Sequence, residues 1–268
     1  MLIMTGVNKT FNAGTVNERK ALCGVDFTLK DGDFVTIVGS NGAGKSTLFN
    51  VISGTYYVDF GRILLDGRDV TYLPEYKRSA FIGHLFQDPL KGTAPHMTIE
   101  ENLAVAYLHS SGKNRIFGRI KKADREFFRE KLSELNMGLE DRMKTPVGIL
   151  SGGQRQALTL LMATMVTPSL LLLDEHTAAL DPATADKVLE LTKKIVRERE
   201  ISCLMITHNM HQALSLGNRT IMMDSGRILL DVSGEERNRM SVQDLLDKFA
   251  ESTGEALDND RILLGGNG

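Results

Sequence analysis

Short runs of apolar and β-branched residues alternate along this chain with longer stretches of helical periodicity. Such alternation is typical of an α/β fold, in which helices cover a largely parallel, buried sheet. The pattern predicts central strands over residues 34–38, 81–86, 170–173, 202–206 and 220–223. We therefore expect the chain to be organised around one parallel sheet.

The N-terminal part has a different pattern. Residues 6–11 and 25–29 are predicted to form strands joined by a polar loop over 12–20, and residues 61–65 a further strand that ends at Asp66-Gly67. Short strands joined by polar turns favour antiparallel pairing. A small antiparallel sheet is therefore expected to flank the main one.

Residues 98–143 have helical periodicity and lack the alternation of a strand, which predicts a helical insertion between strands of the main sheet. Ser241 to Asp244 resembles a capping box and predicts a helix with Leu245, Leu246 and Phe249 on one face. The expected organisation is a domain over 1–240, with a helical subdomain inserted at about 89–165, followed by a C-terminal helix and tail over 241–268.

The amino-acid composition indicates a globular protein with a buried core. With 268 residues, 42% hydrophobic and 25% charged, the chain is long and apolar enough for a buried core, and its net charge of −2 gives no general attraction to nucleic acid. Cys23 and Cys203 are too far apart in sequence to indicate a zinc site or a disulfide framework. No secretory signal is predicted, and the longest apolar passage, about 157–166, is shorter than the ~18–20 residues that span a bilayer.

A glycine-rich segment follows the predicted strand 34–38 and precedes a helical run. Its consecutive residues are Gly39, Ser40, Asn41, Gly42, Ala43, Gly44, Lys45, Ser46 and Thr47. They match G-x-x-x-x-G-K-[ST], in which backbone N–H groups and a helix N-terminus bind a polyphosphate. Lys45 is expected to reach the β- and γ-phosphates and Ser46 to ligate Mg²⁺. A dinucleotide-binding loop is the competing interpretation, but it has no place for the Lys-Ser pair.

An acidic pair, Asp174-Glu175, follows the apolar strand 170–173. Ligands bind at the carboxyl ends of parallel strands, so Asp174 is expected to hold Mg²⁺ and Glu175 to polarise a water that attacks the γ-phosphate. By itself such a pair also fits the simple start of a loop. The phosphate-binding segment favours the functional interpretation.

Residues 150–156 read Leu-Ser-Gly-Gly-Gln-Arg-Gln and open a predicted helix. Ser151 is expected to be its N-cap, and Gly152, Gly153 and Gln154 to expose N–H groups that form a second phosphate receptor. A plain capped helix is the alternative. Together with the two preceding segments, however, this one resembles the signature sequence of ABC-type ATPases, and the resemblance covers roughly residues 1–240.

The resemblance implies a RecA-like P-loop NTPase core with a flanking antiparallel β-subdomain and an inserted α-helical subdomain. It also implies roles for four further residues. Gln87 would contact Mg²⁺ and the attacking water, Asp181 would lie in the loop that crosses between subunits, and His208 would bond the γ-phosphate. Phe11 would stack on adenine. A structural histidine at 208 and a core phenylalanine at 11 are the alternatives.

The cofactors that the resemblance implies are ATP and Mg²⁺. Guanine recognition uses an Asn-Lys-x-Asp element, whereas Asn8-Lys9 is followed here by Thr10-Phe11, so ATP is favoured. One position departs from the family: His176 stands after Glu175, where proline is usual. Without that proline the loop is expected to be less rigid, and His176 to be a spacer or a group that titrates near neutral pH.

The resemblance further implies a head-to-tail dimer, with a second copy or a paralogous subunit, that encloses two ATP molecules. A single cassette without long coiled coils favours a transporter subunit over ATPases of DNA repair or translation. Its expected partners are an integral membrane permease and, indirectly, an extracellular substrate-binding protein, and its expected place is the cytoplasmic face of the plasma membrane. The segment 86–95 is similar to that of bacterial ATPases for uptake of branched-chain or aromatic amino acids, while export or lipoprotein extraction stays the alternative.

Overall fold

A computed structural model of the chain describes residues 1–110 and 120–253. The strands, in chain order, are β1 (Leu2–Phe11), β2 (Arg19–Leu29), β3 (Phe34–Gly39), β4 (Phe60–Leu65), β5 (Arg68–Asp69), β6 (Ile82–Leu85), β7 (Leu170–Asp174), β8 (Cys203–Ile206), β9 (Arg219–Asp224) and β10 (Arg227–Ser233). The helices are α1 (Lys45–Ser53), α2 (Glu75–Arg78), α3 (Ile99–Ser110), α4 (Lys122–Ser133), α5 (Gly152–Thr164), α6 (Pro182–Glu198), α7 (Met210–Ser215), α8 (Gly234–Arg239) and α9 (Val242–Thr253).

The chain divides into two compact units: Met1–Arg78 together with the described residues from Ser202 onward, and Ser79–Ile201. Within the described ranges, every helix falls short of the length and apolar character that crossing a bilayer requires.

The first unit contains an antiparallel sheet with the order β2-β1-β4-β5, as predicted. β1 and β2 are longer than predicted, and their register pairs Leu2 with Leu29 and Phe11 with Arg19. The extra residues belong to the strand because Leu2 and Met4 point into the core while their neighbours do not. Such alternation is the pattern of a half-buried strand.

The same unit contains the parallel strands around β3. β3 pairs in parallel with β8 on one side and with β9 on the other, and all its residues are buried. β10, which the sequence analysis did not predict, returns antiparallel to β9. α7 and α9 pack on this sheet, and Leu245 and Phe249 of α9 are buried in a cluster with Val38, as their spacing predicted.

A buried guanidinium joins the end of α1 to the segment between β5 and α2. Arg78 is 0% exposed and donates to the carbonyls of Val51 and Ile52, each at 2.8 Å. It also donates to the carbonyls of Leu73 at 2.7 Å and Thr71 at 3.0 Å. Burial lowers the pKa of Arg78 to about 10, so the group stays cationic at neutral pH. Carbonyls in the last turn of a helix have no partner inside it, so this contact fixes the C-terminal end of α1.

The second unit has a parallel pair, β6 and β7, in which Ile82 pairs with Leu170 and Leu85 with Leu173. Its helices α3, α4 and α5 share an apolar core. The prediction of helix over 98–143 is wrong for residues 134–143, which form turns. Asn136 and Gly138 have φ values of 52° and 68°, a left-handed conformation that a right-handed helix excludes.

Candidate functional site

The glycine-rich segment 39–47 connects β3 to α1 by a turn that leaves no room for side chains at two positions. Gly39 has a φ of 147°, and a Cβ there would lie 2.0 Å from the Met223 carbonyl oxygen. Gly44 is the N-cap of α1 with a φ of 102°, and its Cβ would lie 2.4 Å from the Ala21 carbonyl oxygen. The backbone of this loop therefore passes directly against β9 and β2.

Lys45 begins α1 and is 5% exposed. Its ammonium donates to the carbonyls of Gly39 at 2.7 Å and Ser40 at 2.9 Å. Ser46, the next residue, is exposed at the start of the helix. The lysine charge, the helix N-terminus and an accessible hydroxyl thus lie together, which is the arrangement that binds an anionic phosphate chain.

Two residues that the sequence analysis missed fix this loop. The Arg19 guanidinium, from β2, donates to the Gly42 carbonyl at 2.9 Å. The Asp224 carboxylate, at the end of β9, accepts from the Ser40 hydroxyl at 2.7 Å. Neither residue belongs to a linear motif, so only the strand order shows that they reach the loop.

His208 lies near the glycine-rich segment 39–47 because of the strand register. β8 ends at Ile206, whose partner in β3 is Ile37, and His208 follows two residues later as an exposed residue. Phe11 ends β1 and is partly buried, so it is not a core residue. Its strand partner is Arg19, the same residue that contacts Gly42.

The second unit brings together Gln87, Asp174 and Glu175. Asp174 ends β7, Glu175 follows it, and Gln87 comes two residues after β6 ends. Because Leu85 and Leu173 are partners in this parallel pair, the three polar residues leave the same edge. Glu175 has a φ of 45°, a conformation that is costly for a residue with a side chain and that clusters at functional sites.

His176 is buried and hydrogen-bonded, so it is more than a spacer. Its Nε2 lies 3.2 Å from the Thr192 hydroxyl, which donates its proton to the Val188 carbonyl at 2.8 Å. The hydroxyl therefore accepts from Nε2–H, and Nδ1 is a buried acceptor without a hydrogen-bond partner in the described part of the chain. Burial lowers the pKa of His176 to about 4, so the expected titration near neutral pH does not occur.

His84, on β6, is a second imidazole that burial keeps neutral. Its pKa is lowered to about 4, and its ring packs on Phe86 with centroids 4.1 Å apart. Since neither His84 nor His176 carries a charge at neutral pH, these rings do not offset the carboxylates of Asp174 and Glu175.

The segment 151–154 forms the predicted cap of α5. The Ser151 hydroxyl accepts from the Gln154 backbone N–H, and the Gln154 side chain accepts from the Ser151 N–H, each at 3.3 Å. This confirms Ser151 as the N-cap. A cavity of about 470 Å³ opens beside it, lined by Ser151, Gly153, Gln154, Thr184 and Lys187 among others.

Helix α6 packs close to this cap. A Cβ on Gly153 would lie 2.1 Å from Thr184 Cγ2, so Gly153 permits the close approach of α6. Asp181 is the N-cap of α6, and its carboxylate accepts from the Thr184 N–H at 3.1 Å. Hydrogen bonds from Thr184 hold the pKa of Asp181 below its ordinary value. Asp181 is thus anionic and anchored to its own helix.

Each unit contains side chains with oxygen donors that suit Mg²⁺. Among residues 1–110 and 120–253, no group of three or more His, Cys, Asp or Glu side chains is placed to hold a metal ion alone. Ser46, Gln87 and Asp174 offer the hard oxygen atoms that Mg²⁺ prefers, and Mg²⁺ usually takes few protein ligands besides phosphates and water.

Comparison with known proteins agrees with this geometry. The family model described as ABC transporter matches residues 22–178. A tyrosine transport ATP-binding protein of Clostridioides difficile is 42% identical over 249 residues, which cover 93% of this chain and 98% of the relative. The methionine import ATP-binding protein MetN of Rhizobium johnstonii is 38% identical over 213 residues, 78% of this chain and 56% of that relative.

A solved structure supports the same relationship. An ATP-binding cassette captured as a dimer in a post-hydrolysis state, with ADP and Pi bound, has a TM-score of 0.73 and 27% sequence identity. The match covers 87% of this chain and 98% of that one. The predicted α/β fold class is thereby confirmed.

The largely buried imidazole of His84 predicts a loss of stability in acid. Its pKa falls from 6.5 to about 4 on folding, so below pH 6.5 the unfolded chain binds a proton that the folded chain does not. The contribution of His84 to the free energy of unfolding is therefore fully present above pH 6.5 and is lost progressively as the pH falls toward 4. His84→Asn removes the contribution of His84, while His176 keeps its own. Between these pH values we expect the unfolding free energy of the variant to fall by up to about 3 kcal/mol less than that of the wild type.

Chemical denaturation across this pH range measures the effect. His211→Asn, which replaces an exposed histidine of α7, is the control and should follow the wild-type pH dependence. Parallel curves for wild type and His84→Asn would contradict the prediction.

Proposed function

Because this chain belongs to the ABC transporter family and is an ATPase of that family, we propose that it powers amino-acid uptake through a separate membrane permease. The observation that carries the proposal is the 42% identity to a tyrosine transport ATP-binding protein, extending over 98% of that relative. An aromatic amino acid is therefore the first substrate to test. The expected place of the chain is peripheral, on the cytoplasmic face of the membrane.

Phosphate binding is assigned to the first unit. The backbone of 39–47 and the Lys45 ammonium hold the β- and γ-phosphates, since the loop and the helix N-terminus present positive groups to them. Ser46 and, from the second unit, Asp174 and Gln87 would hold Mg²⁺, which when bound neutralises charge that develops on the phosphates. Phe11 provides an apolar ring for the base.

Hydrolysis is assigned to Glu175, His208 and Gln87. The Glu175 carboxylate accepts a hydrogen bond from the attacking water and so increases its nucleophilicity. His208 donates to the γ-phosphate, and Gln87 orients the water. The left-handed backbone of Glu175 supports this role, because strained backbone persists where function requires a fixed side-chain direction.

The active unit is proposed to be a head-to-tail dimer. In this arrangement Ser151, Gly152, Gly153 and Gln154 of one subunit contact the nucleotide held by the other, and the loop with Asp181 lies between the subunits. The exposed helix start and its adjacent cavity support the proposal, because an accessible N-terminus of α5 is a receptor for phosphate.

Coupling to a permease is proposed to pass through the segment that follows Gln87. Gln87 is exposed and is the second residue of the connection from β6 to α3. A permease helix that docks on this connection would displace Gln87 and so alter the rate of hydrolysis. An extracellular binding protein that delivers the amino acid would act through the permease.

Glu175→Gln is expected to keep ATP binding and to lower the ATPase rate by about 100-fold or more, because the amide cannot act as a base. ATP-bound dimers should then accumulate in size-exclusion chromatography. Glu126→Gln, which removes an exposed carboxylate of α4, is the control and should leave turnover unchanged. Near-normal turnover in Glu175→Gln would exclude Glu175 as the base.

A mixed dimer tests the action of Ser151 across the interface. Ser151→Asp keeps an N-cap for α5 but places a carboxylate where the γ-phosphate of the other subunit would bind. Lys45→Ala weakens phosphate binding in its own subunit. Each homodimer should be inactive, whereas a mixture should recover partial ATPase activity, since one of its composite sites carries neither change.

Ser151→Asn is the matched control, because asparagine is also a good N-cap and carries no charge. It is expected to retain much of the wild-type activity. An active Ser151→Asp homodimer would contradict the phosphate-receptor role. Substitution of Gly153 is less suitable, because any side chain there displaces Thr184.

Reconstitution with the permease tests the direction and class of transport. The chain should copurify with a membrane protein, and tyrosine added on the outer side, with its binding protein where one is required, should raise the ATPase rate and enter the vesicles. Xylose is the control solute. Outward movement of the amino acid, or purification with ribosomes or DNA in place of a membrane protein, would contradict the proposed function.

A further inference from the structure

The aromatic residue at the end of β1 is held by a segment of the chain to which no role has been assigned. This segment, residues 54–59, connects α1 to β4 and contains Tyr56 and Asp59. We propose that Tyr56 and Asp59 are positioning residues that fix Phe11 for base stacking and so determine how much the base contributes to ATP binding. The proposal rests on the proposed function, in which Phe11 receives the base.

Phe11 is connected to the phosphate-binding loop through one residue. Its strand partner in β2 is Arg19, and the Arg19 guanidinium donates to the Gly42 carbonyl at 2.9 Å. The backbone of Phe11 is therefore linked through Arg19 to the loop that holds the phosphates. Small rotations of the ring would change its alignment with a base whose phosphates are already fixed.

Tyr56 contacts Phe11 directly. The ring centroids are 5.2 Å apart and the planes are 77° to each other, an edge-to-face pair. Such pairs are favoured over a face-to-face sandwich of the rings. A rotation of the Phe11 ring would disturb this contact. Tyr56 is itself 39% exposed, so its packing against Phe11 is not a consequence of deep burial.

Asp59 holds the backbone of the residues that come directly before Phe11 in β1. Its carboxylate accepts from the Lys9 ammonium at 2.9 Å and from the Thr10 N–H at 2.5 Å, and its own N–H donates to the Asn8 carbonyl at 2.9 Å. Partial burial opposes ionisation, but the bonds from Lys9 and Thr10 outweigh it and the pKa of Asp59 lies below its ordinary value. Residues 8–10, directly before Phe11, are thus anchored to an anionic Asp59.

The segment is also attached to α1. The N–H groups of Gly54 and Tyr56 both donate to the Asn50 carbonyl, at 3.1 and 3.0 Å. The first residue of α1 is Lys45, so one helix carries the phosphate-binding residues at its start and Tyr56 just beyond its end. The base platform and the phosphate site are therefore parts of one connected structure.

A comparison of two ligands that bind the full chain distinguishes the contribution of the base to affinity from that of the phosphates. Isothermal titration with ATP and with inorganic tripolyphosphate, both with Mg²⁺, gives affinities whose ratio reports the contribution of the nucleoside. We expect Phe11→Ala to weaken ATP binding about tenfold or more, the scale of aromatic–base stacking. Tyr56→Ala should weaken it about fivefold, the scale of an edge-to-face pair. Asp59→Ala should weaken it in the same direction, because residues 8–10 lose their anchor, and tripolyphosphate affinity should stay unchanged in all three variants.

The matched control is Tyr57→Ala. Tyr57 is a neighbouring tyrosine, 47% exposed, whose ring lies 6.2 Å from Tyr72 rather than against Phe11. It should bind ATP as the wild type does. Tyr56→Phe keeps the edge-to-face contact and is expected to restore ATP affinity, which distinguishes ring positioning from a role of the hydroxyl.

A double-mutant cycle shows whether Tyr56 acts through Phe11. In the Phe11→Ala background, Tyr56→Ala should have no further effect on ATP affinity, because the ring that it positions is gone. Equal losses in both backgrounds would overturn the proposal, since Tyr56 would then contact the ligand independently.

Two other results would distinguish an error in the proposed base site from an error in the positioning role. If Phe11→Ala leaves ATP affinity unchanged, the base site of the proposed function is wrong. If Phe11→Ala weakens ATP but Tyr56→Ala and Asp59→Ala behave like Tyr57→Ala, or if they weaken tripolyphosphate equally, the positioning role is overturned while the proposed function stands.

Discussion

The phosphate-binding loop depends on one steric constraint, the contact of its backbone with two neighbouring strands. At Gly39 and Gly44 a Cβ would lie within 2.4 Å of a carbonyl oxygen of β9 or β2. The loop is therefore shaped by the strands around it as much as by its own sequence. Because β3 is central and completely buried, the loop cannot relax without moving the core of the first unit. Its N–H groups are consequently preorganised for a ligand.

Two histidines at or beside the acidic edge of the second unit are neutral at physiological pH. Burial lowers the pKa of both His84 and His176 to about 4. These two rings therefore add no positive charge beside Asp174 and Glu175 at physiological pH. The histidine that replaces the usual proline adds a hydrogen bond to Thr192 of α6. The loop is therefore anchored by a different interaction, not simply loosened.

The sequence predicts those parts of the molecule that depend on interactions between residues close together in the chain. The residues of 39–47, the acidic pair after β7 and the cap of α5 follow from spacing and from helix-terminus chemistry. Arg19, Asp224 and Tyr56 could not be predicted, because each acts on a residue far away in sequence and only the strand register shows the contact. The turns at 134–143 were missed because apolar spacing continues through them while the backbone leaves the helical conformation. The assigned catalytic and binding roles stay predictions.

Helix caps at the candidate site have two effects. They stabilise the start of a helix, and they hold that start in place for a ligand. Ser151 and Asp181 each accept a hydrogen bond from their own helix, and Asn209 does the same for α7 beside His208. A capping side chain that is already bonded contributes to a ligand mainly by holding the helix start in place. The backbone N–H groups at these helix starts are then already oriented for an anionic ligand. Loss of a cap would remove both stability and ligand binding, so only replacements that preserve the cap, such as aspartate or asparagine for Ser151, separate the two effects.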